Sequence, residues 1–414
     1  MCGILGIVAG PAEAVDLDRK QILAMRDTMQ LRGPDAAGVF ERRNLVFAHR
    51  RLSIRDIPAG KQPWLSDDEQ CVLVYNGEVY NDGELRRELA TLGHRFRTRC
   101  DTEVVMAAYQ AWGAECVRRL RGMFAFAIYD FRDDSLFLAR DRFGIKPLFL
   151  TEINSQLLFA SSIHALLAHP KFTRTPHLPA LSHYLSTFRL TLGRETVFAG
   201  LWQLLPGESL HRRDGKIQIT RCWSYPTDEE DSLEYEDAVD ELGAGLKESV
   251  ELRLVSDVPV GMFLSGGVDS NTLACLIRES APSSMTAQCG GGDTAQSNGS
   301  DDHQSSDFTY ARQCAEHVGF DFGEVRVPPR EYLECWRWML GQYATPLSTP
   351  TDVILYRLAR QMKKSVGVVL GGEGADELLC GYAVQHWAGH DYETAQQLAC
   401  RTWPGSSAAA PPMR

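Results

Sequence analysis

The first part of the chain carries short apolar runs with the two-residue alternation of half-buried strands, bounded by Gly, Asn and Asp clusters. This pattern predicts strands at residues 3–9, 38–48, 71–80, 124–130, 135–141, 147–152 and 156–161. Helical spacing interrupts them at 16–31, 82–92 and 101–111, the last with Asp101 and Glu103 in its first turn, where the helix dipole favours carboxylates. The strands fall in neighbouring groups rather than alternating with helices. An α+β domain of two stacked, mainly antiparallel sheets flanked by helices is therefore expected.

From Tyr235 the pattern changes to a long helix reaching about residue 255, a buried strand at 258–264, a glycine turn and a helix at 269–279. Strand, glycine turn and helix in that order mark an α/β domain with a parallel sheet that takes a ligand at the carboxyl ends of its strands. The theme repeats in a helix at 351–364, an apolar strand at 366–370 and then Gly371-Gly372-Glu373-Gly374, so two such turns are expected to meet at one crevice. Residues 176–233, rich in Pro and Gly breakers and ending in Asp228-Glu229-Glu230-Asp231, read as a connecting segment with a little structure of its own. The stretch 284–292 reads as a poor strand, 290–306 as a mobile surface loop of low complexity, and the tail 403–414 carries no helix or strand signal.

Composition narrows the function classes. A net charge of −11 argues against a broad basic surface that wraps nucleic acid. The 11 cysteines form no CxxC pair or regular spacing, which speaks against a disulfide scaffold or zinc knuckle and for reduced thiols in the cytoplasm. No apolar run approaches the 18 residues of a spanning helix.

Cys2 follows the initiator methionine. Once Met1 is removed, its free α-amine, with a pKa near 8, can take the thiol proton, so one residue supplies both nucleophile and base. Read alone, a cysteine in second place is more often a small buried hydrophobe, and Asn76-Gly77 a hairpin turn between apolar runs. The ordered set Met1-Cys2-Gly3-Ile4-Leu5-Gly6, Arg32-Gly33-Pro34-Asp35, Arg51-Leu52-Ser53-Ile54, Tyr75-Asn76-Gly77-Glu78-Val79-Tyr80-Asn81 and Asp101-Thr102-Glu103 resembles the class II glutamine amidotransferase domain, a fold of the N-terminal-nucleophile type, over about 165 residues. The resemblance implies that Cys2 attacks the side-chain amide of glutamine, that Asn76 and Gly77 form the oxyanion hole, that Arg51 grips the α-carboxylate, and that Glu78 and Asp101 take the ammonium. Leu31 stands where that family commonly has histidine.

Leu264-Ser265-Gly266-Gly267-Val268-Asp269-Ser270 ends one strand and opens a helix, a place where exposed N–H groups favour phosphate, and it lacks the lysine of a Walker A loop. It resembles the pyrophosphate loop of the ATP pyrophosphatases. Together with Gly371-Gly372-Glu373-Gly374-Ala375-Asp376-Glu377 and Gly381-Tyr382, it resembles glutamine-hydrolysing asparagine synthetases over roughly residues 2–390. This second resemblance implies an ATP site at Leu264, Ser265, Gly266, Gly267, Asp269, Ser270, Gly371 and Gly372. Mg²⁺ is expected on Asp269 and Asp376, with helix capping as the plain alternative for Asp376. Glu373 would manage the protons of incoming ammonia, and Tyr382 would sit at the acceptor site. The implied division is a glutaminase domain at 2–175, a connector at 176–233, a synthetase domain at 234–390 and an irregular tail at 391–414. The implied partners are glutamine, ATP and aspartate or a related carboxylate, without nucleic acid or membrane, and the resemblance leaves room for a homodimer. Family members continue beyond the tyrosine with a helical region that brings a lysine. Here 32 residues come after Tyr382 without one, so a shortened synthetase half is expected. A glutaminase alone, an amidotransferase for another carboxylate and a non-catalytic relative stand as alternatives.

Overall fold

The computed structural model describes residues 1–225, 233–281, 284–293, 302–379 and 381–382. The amino-terminal strands are β1 (Gly3–Val8), β2 (Ala36–Arg42), β3 (Leu45–Arg51), β4 (Trp64–Leu65), β5 (Cys71–Val79), β6 (Gly122–Asp130), β7 (Ser135–Arg140), β8 (Phe149–Ile153), β9 (Gln156–Ala160), β10 (Leu201–Gln203), β11 (Glu208–Arg213) and β12 (Lys216–Arg221). They build two six-stranded sheets, ordered β10-β8-β9-β1-β3-β2 and β12-β11-β7-β6-β5-β4, with antiparallel pairing throughout.

The sheets stack face to face over a shared core in which Ile4, Leu45 and Phe47 of one meet Val72, Val74 and Ala125 of the other. Helices α1 (Arg19–Asp27) and α5 (Ile163–Leu167) cover the outer face of the first sheet, and α2 (Asp82–Thr91), α3 (Asp101–Trp112) and α4 (Cys116–Arg119) cover the second. Four layers thus result, as the grouping of strands predicts. Gly6 is required at the centre of β1, because a Cβ there would lie 2.0 Å from the Phe159 ring.

Two local expectations differ from this arrangement. The run 38–48 is not one strand but parts of β2 and β3, antiparallel neighbours separated only by Arg43 and Asn44. Asn76-Gly77 is not a turn: it lies inside β5, with Asn76 opposite Ala125 and Gly77 opposite Phe124. The segment read as a connector contributes β10, β11 and β12 to the edges of both sheets and also carries α6 (Leu178–Thr187).

The second half holds α7 (Tyr235–Arg253), β13 (Val260–Phe263), α8 (Val268–Ser280), β14 (Thr286–Gly292), α9 (Asp302–Val318), β15 (Asp321–Val327), α10 (Pro329–Tyr343), α11 (Thr351–Met362), β16 (Val368–Leu370) and α12 (Ala375–Leu379). Its sheet has the order β15-β14-β13-β16 and is wholly parallel. The stretch read as a poor strand is β14, paired on both sides: burial of Ala287 and Cys289 in the core outweighs weak strand propensity. For the same reason the expected loop 290–306 begins inside β14 and ends inside α9, while 294–301 lie outside the described residues. The tail 403–414 and Cys380 lie outside them as well.

Chain order runs from β13 outward to β14 and β15 and returns to β16 on the other side. The crevice at the carboxyl end of β13 is therefore the topological switch point, where such sheets take ligands. The two halves meet through hydrogen bonds from Asp56 N to Asp257 Oδ2 (2.7 Å), from Asp257 N to Ile54 O (3.2 Å) and from Tyr184 Oη to Leu347 O (2.9 Å).

Candidate active site

Cys2 sits at the free end of β1. Its Sγ lies 3.5 Å from Leu52 N and 3.7 Å from Leu52 O, and Arg32 Nε donates to its carbonyl at 3.2 Å. Burial pushes the thiol pKa up, while the terminal ammonium, Arg51 and Arg32 pull it down. Cys2, Arg51, Asn76, Gly77, Glu78 and Asp101, all six residues expected at the glutamine site, border one cavity of about 340 Å³.

The outer edge of β5 explains how this cavity acquires hydrogen-bond donors. β4 pairs only with Leu73 and Val72, so the edge is bare from Tyr75 onward. On that edge Tyr75 N is taken by Gln62 Oε1 (2.7 Å) and Val79 N by Asp101 Oδ2 (2.9 Å). Gly77 N lies between them by strand parity and has no such partner among the described residues. A Cβ at Gly77 would come within 2.5 Å of Met123 O, which fixes the residue type. Asn76 is 1% exposed, and neither its Nδ2 nor its Oδ1 has a hydrogen-bond partner. Buried amides are rarely left so, and here the free donors face the cavity that holds the thiol.

The acidic side is more crowded than the sequence implies. Asp101 accepts from Tyr75 Oη (2.6 Å) and Val79 N, and Glu78 Oε1 accepts from Arg55 Nη1 (2.9 Å), which also reaches Asp82. Burial raises the pKa of both Glu78 and Asp101, and Asp101 adds to the rise at Glu78. Such a pair is suited to receiving a cation, which lowers both again. Arg51 spends Nη1 on Ile57 O (2.7 Å) and Nη2 on Arg55 O and Asp56 O (3.0 Å each), so it shapes the 52–59 loop as well as the cavity wall. Leu31 is exposed.

The second cavity, about 370 Å³, lies at the switch point. It is bordered by Leu264, Ser265, Gly267, Asp269, Ser270, Gly371, Gly372, Glu373, Asp376 and Tyr382. The two glycine turns meet: a Cβ on Gly372 would lie 3.3 Å from Ser270 N. Ser270 Oγ closes the first turn through Ser265 N (3.1 Å) and Gly267 O (3.2 Å). The N-cap Gly267 leaves α8 without a side-chain cap. Gly266 does not border the cavity and packs against Asp307 instead. Tyr382 Oη donates to Glu377 Oε1 (2.9 Å).

Asp269 has no hydrogen bond or ion pair with a described residue and is not the N-cap of α8. Two carboxylates, Asp269 and Asp376, beside a phosphate-type loop form a hard oxygen set that fits Mg²⁺ with phosphate and water completing its shell. Among the described residues no three His, Cys, Asp or Glu side chains cluster as a self-sufficient metal site. Sequence reasoning missed Arg55, Asp307, Gln288 and Lys146, all of which border these cavities. For Lys146 the signal was Arg140-Asp141-Arg142-Phe143-Gly144-Ile145-Lys146 directly after a strand.

A thiol next to the chain terminus, sharing a pocket with unpartnered amide donors, in a domain of two stacked antiparallel sheets followed by a parallel-sheet crevice, defines a two-site protein whose first half has an N-terminal-nucleophile-type fold. The chain belongs to the glutamine amidotransferase domain family, which matches residues 1–223, and residues 241–410 match the asparagine synthase family. It is 36% identical over 390 residues to asparagine synthetase [glutamine-hydrolyzing] 1 of Bacillus subtilis (strain 168), covering 93% of this chain and 59% of that protein. It is 32% identical over 405 residues to asparagine synthetase B [glutamine-hydrolyzing] of Escherichia coli (strain K12), covering 94% and 66%. The chain thus spans about three fifths to two thirds of the length of these relatives.

Proposed function

We propose that the chain hydrolyses glutamine at Cys2 and uses the ammonia in an ATP-consuming amide ligation that converts aspartate to asparagine. The observation that carries this reading is a single cavity bordered at one side by Cys2 and the unpartnered Asn76 amide and at another by Gly367, Val368 and Val369, the start of β16. The other end of β16 leads into Gly371 and Gly372 of the second cavity.

In this reading the thiolate attacks the amide carbon of glutamine, and the negative oxygen that develops is met by Asn76 Nδ2 and Gly77 N–H. Ammonia leaves, and water releases glutamate from the thioester. The ammonia then passes along β16 to a β-aspartyl adenylate formed by attack of the aspartate carboxylate on the α-phosphorus of ATP, with pyrophosphate leaving; it attacks the acyl carbon, loses a proton and displaces AMP, giving asparagine. The uncapped N–H groups of α8 and the Ser265–Ser270 turn hold the pyrophosphate. Mg²⁺, when bound, neutralises phosphate charge, and Asp269 and Asp376 are the residues that would hold it. Glu373 borders the cavity where ammonia would lose its proton, and Tyr382 lies at the acceptor side. A cytoplasmic setting, where ATP and free aspartate are available, belongs to the same proposal.

Simultaneous assay of glutamate, AMP, pyrophosphate and asparagine with glutamine, MgATP and aspartate tests the reading. All four products in linked amounts support it. Glutamate without AMP reduces the protein to a glutaminase, and AMP that appears only with another carboxylate replaces aspartate as acceptor.

A further inference from the structure

Arg55 stands one residue past the Arg51-Leu52-Ser53-Ile54 motif, and its side chain crosses to the acidic wall of the glutamine cavity. Nη1 donates to Glu78 Oε1 (2.9 Å) and Asp82 Oδ1 (3.2 Å), and Nη2 donates to Asp82 Oδ1 and Oδ2 (3.2 Å each). The side chains of Arg55, Glu78 and Asp82 are only 14%, 12% and 12% exposed, so water and salt screen this contact far less than a surface ion pair.

Glu78 borders the cavity, whereas Asp82 does not, so the guanidinium is anchored from behind. Asp82, the first residue of α2, is itself held by Arg86 Nε (3.3 Å), whose other nitrogens donate to Thr98 O (3.0 Å) and Cys100 O (2.7 Å). The backbone around Arg55 is pinned as well. Asp257 N donates to Ile54 O, Asp56 N donates to Asp257 Oδ2, and Arg51 Nη2 donates to Arg55 O. A cation fixed by this many contacts outside the cavity need not leave when a ligand arrives. It takes one oxygen of Glu78, and the other, Oε2, has no partner among the described residues.

We propose that Arg55 is a positioning residue for the ammonium of glutamine, which orients Glu78 through Oε1 and leaves Oε2 to receive the ligand. This rests on the glutaminase reading. Charge supports the geometry, because buried carboxylates side by side tend to take up a proton, and a neutral carboxyl holds an ammonium less well than a carboxylate. Burial first, and then Asp101, push the Glu78 pKa up, and the hydrogen bond and charge of Arg55 offset part of that rise.

The test compares two probes that differ only in the group at issue: L-glutamine, and glutaramate, which is the same molecule without its α-amino group. Both are titrated calorimetrically into the full chain carrying Cys2→Ala, so that neither is consumed. Adding Arg55→Met should weaken glutamine by roughly tenfold and glutaramate by less than about twofold, since only glutamine brings a cation for Glu78 to meet. With Cys2 intact, the same substitution should raise KM for glutamine and leave kcat nearly unchanged, and Arg55→Lys should recover part of the loss in both experiments. Equal weakening of the two probes would make Arg55 merely structural, and tighter glutamine binding would make its guanidinium an occupant of the ammonium's place. Either result overturns the proposal, as does unchanged binding of both. Arg55→Gln replaces Arg55→Met should that variant not fold. A glutamine-selective loss in a chain that hydrolyses no glutamine would overturn the glutaminase reading and leave the role of Arg55 standing.

Discussion

Asn76 carries a side-chain amide that the core isolates without repaying, an arrangement that typically costs about 1–3 kcal/mol in a protein with no use for it. Asn76→Ala is therefore expected to fold at least as stably as the parent. On the mechanism proposed above, it should lose about 10²–10³ in kcat for glutamine hydrolysis with a small change in KM, since there the donor serves the developing oxyanion. Equal turnover in steady-state assays would remove Asn76 from the oxyanion hole. Cys2→Ala should abolish glutamate release while calorimetric nucleotide binding is unchanged, because the thiol borders only the first cavity. Protein shown by mass spectrometry to retain Met1 should be equally inactive. A third residue makes an acid-stability prediction. His49 is buried with Nε2 3.1 Å from Tyr75 O, and burial takes its pKa from 6.5 in the unfolded reference to about 3. Between these values the unfolded chain binds the extra proton, so His49 makes stability fall as pH drops from about 6.5 toward 3. His49→Asn should flatten that slope in denaturant titrations at several pH values, and an unchanged slope would assign the acid sensitivity to other groups.

At the level of elements, α8 is the most exposed to test, because its first turn is uncapped and carries Asp269. Asp269→Asn should weaken Mg-pyrophosphate binding by roughly tenfold or more while leaving glutamine hydrolysis intact, since an amide offers an Mg²⁺ shell less charge. Unaltered affinity in calorimetry would make the carboxylate structural only. The elements also show what can be read from sequence. Strands with apolar alternation, such as β5 and β7, were legible within two residues at each end. β14 was not, because Ala287 and three glycines carry little strand propensity, and only the neighbours on both sides make the segment a strand. The Asn-Gly pair misleads for the same reason in reverse: local chemistry favours a turn, whereas pairing with β6 keeps it extended. The six residues expected at the glutamine site, which the fold brings to one cavity, stand out in the sequence because they fall in contiguous motifs. Arg55 and Lys146 were missed because their meaning depends on partners more than 20 residues away or on having none.

Across the whole molecule, one contact ties the second half to the first site. Asp257 holds Asp56 N, and Asp56 O in turn holds the Arg51 guanidinium that borders the glutamine cavity. Asp257→Ala should raise KM for glutamine several-fold with little effect on kcat, a split that simple loss of folded protein would not produce. Unchanged KM would show that the 52–59 loop keeps its shape without help from across the interface. The two cavities share a second link whose importance is metrical. Gly367 to Val369 border the first and Gly371 and Gly372 border the second, so the two cavities are joined along the chain by one three-residue strand, roughly 10 Å long at strand rise. β16 thereby acts as a ruler. Inserting or deleting a single residue in it would change the spacing by only about 3 Å, yet would swap which backbone faces look toward each chamber. The gauge therefore tolerates substitution far better than any change in length.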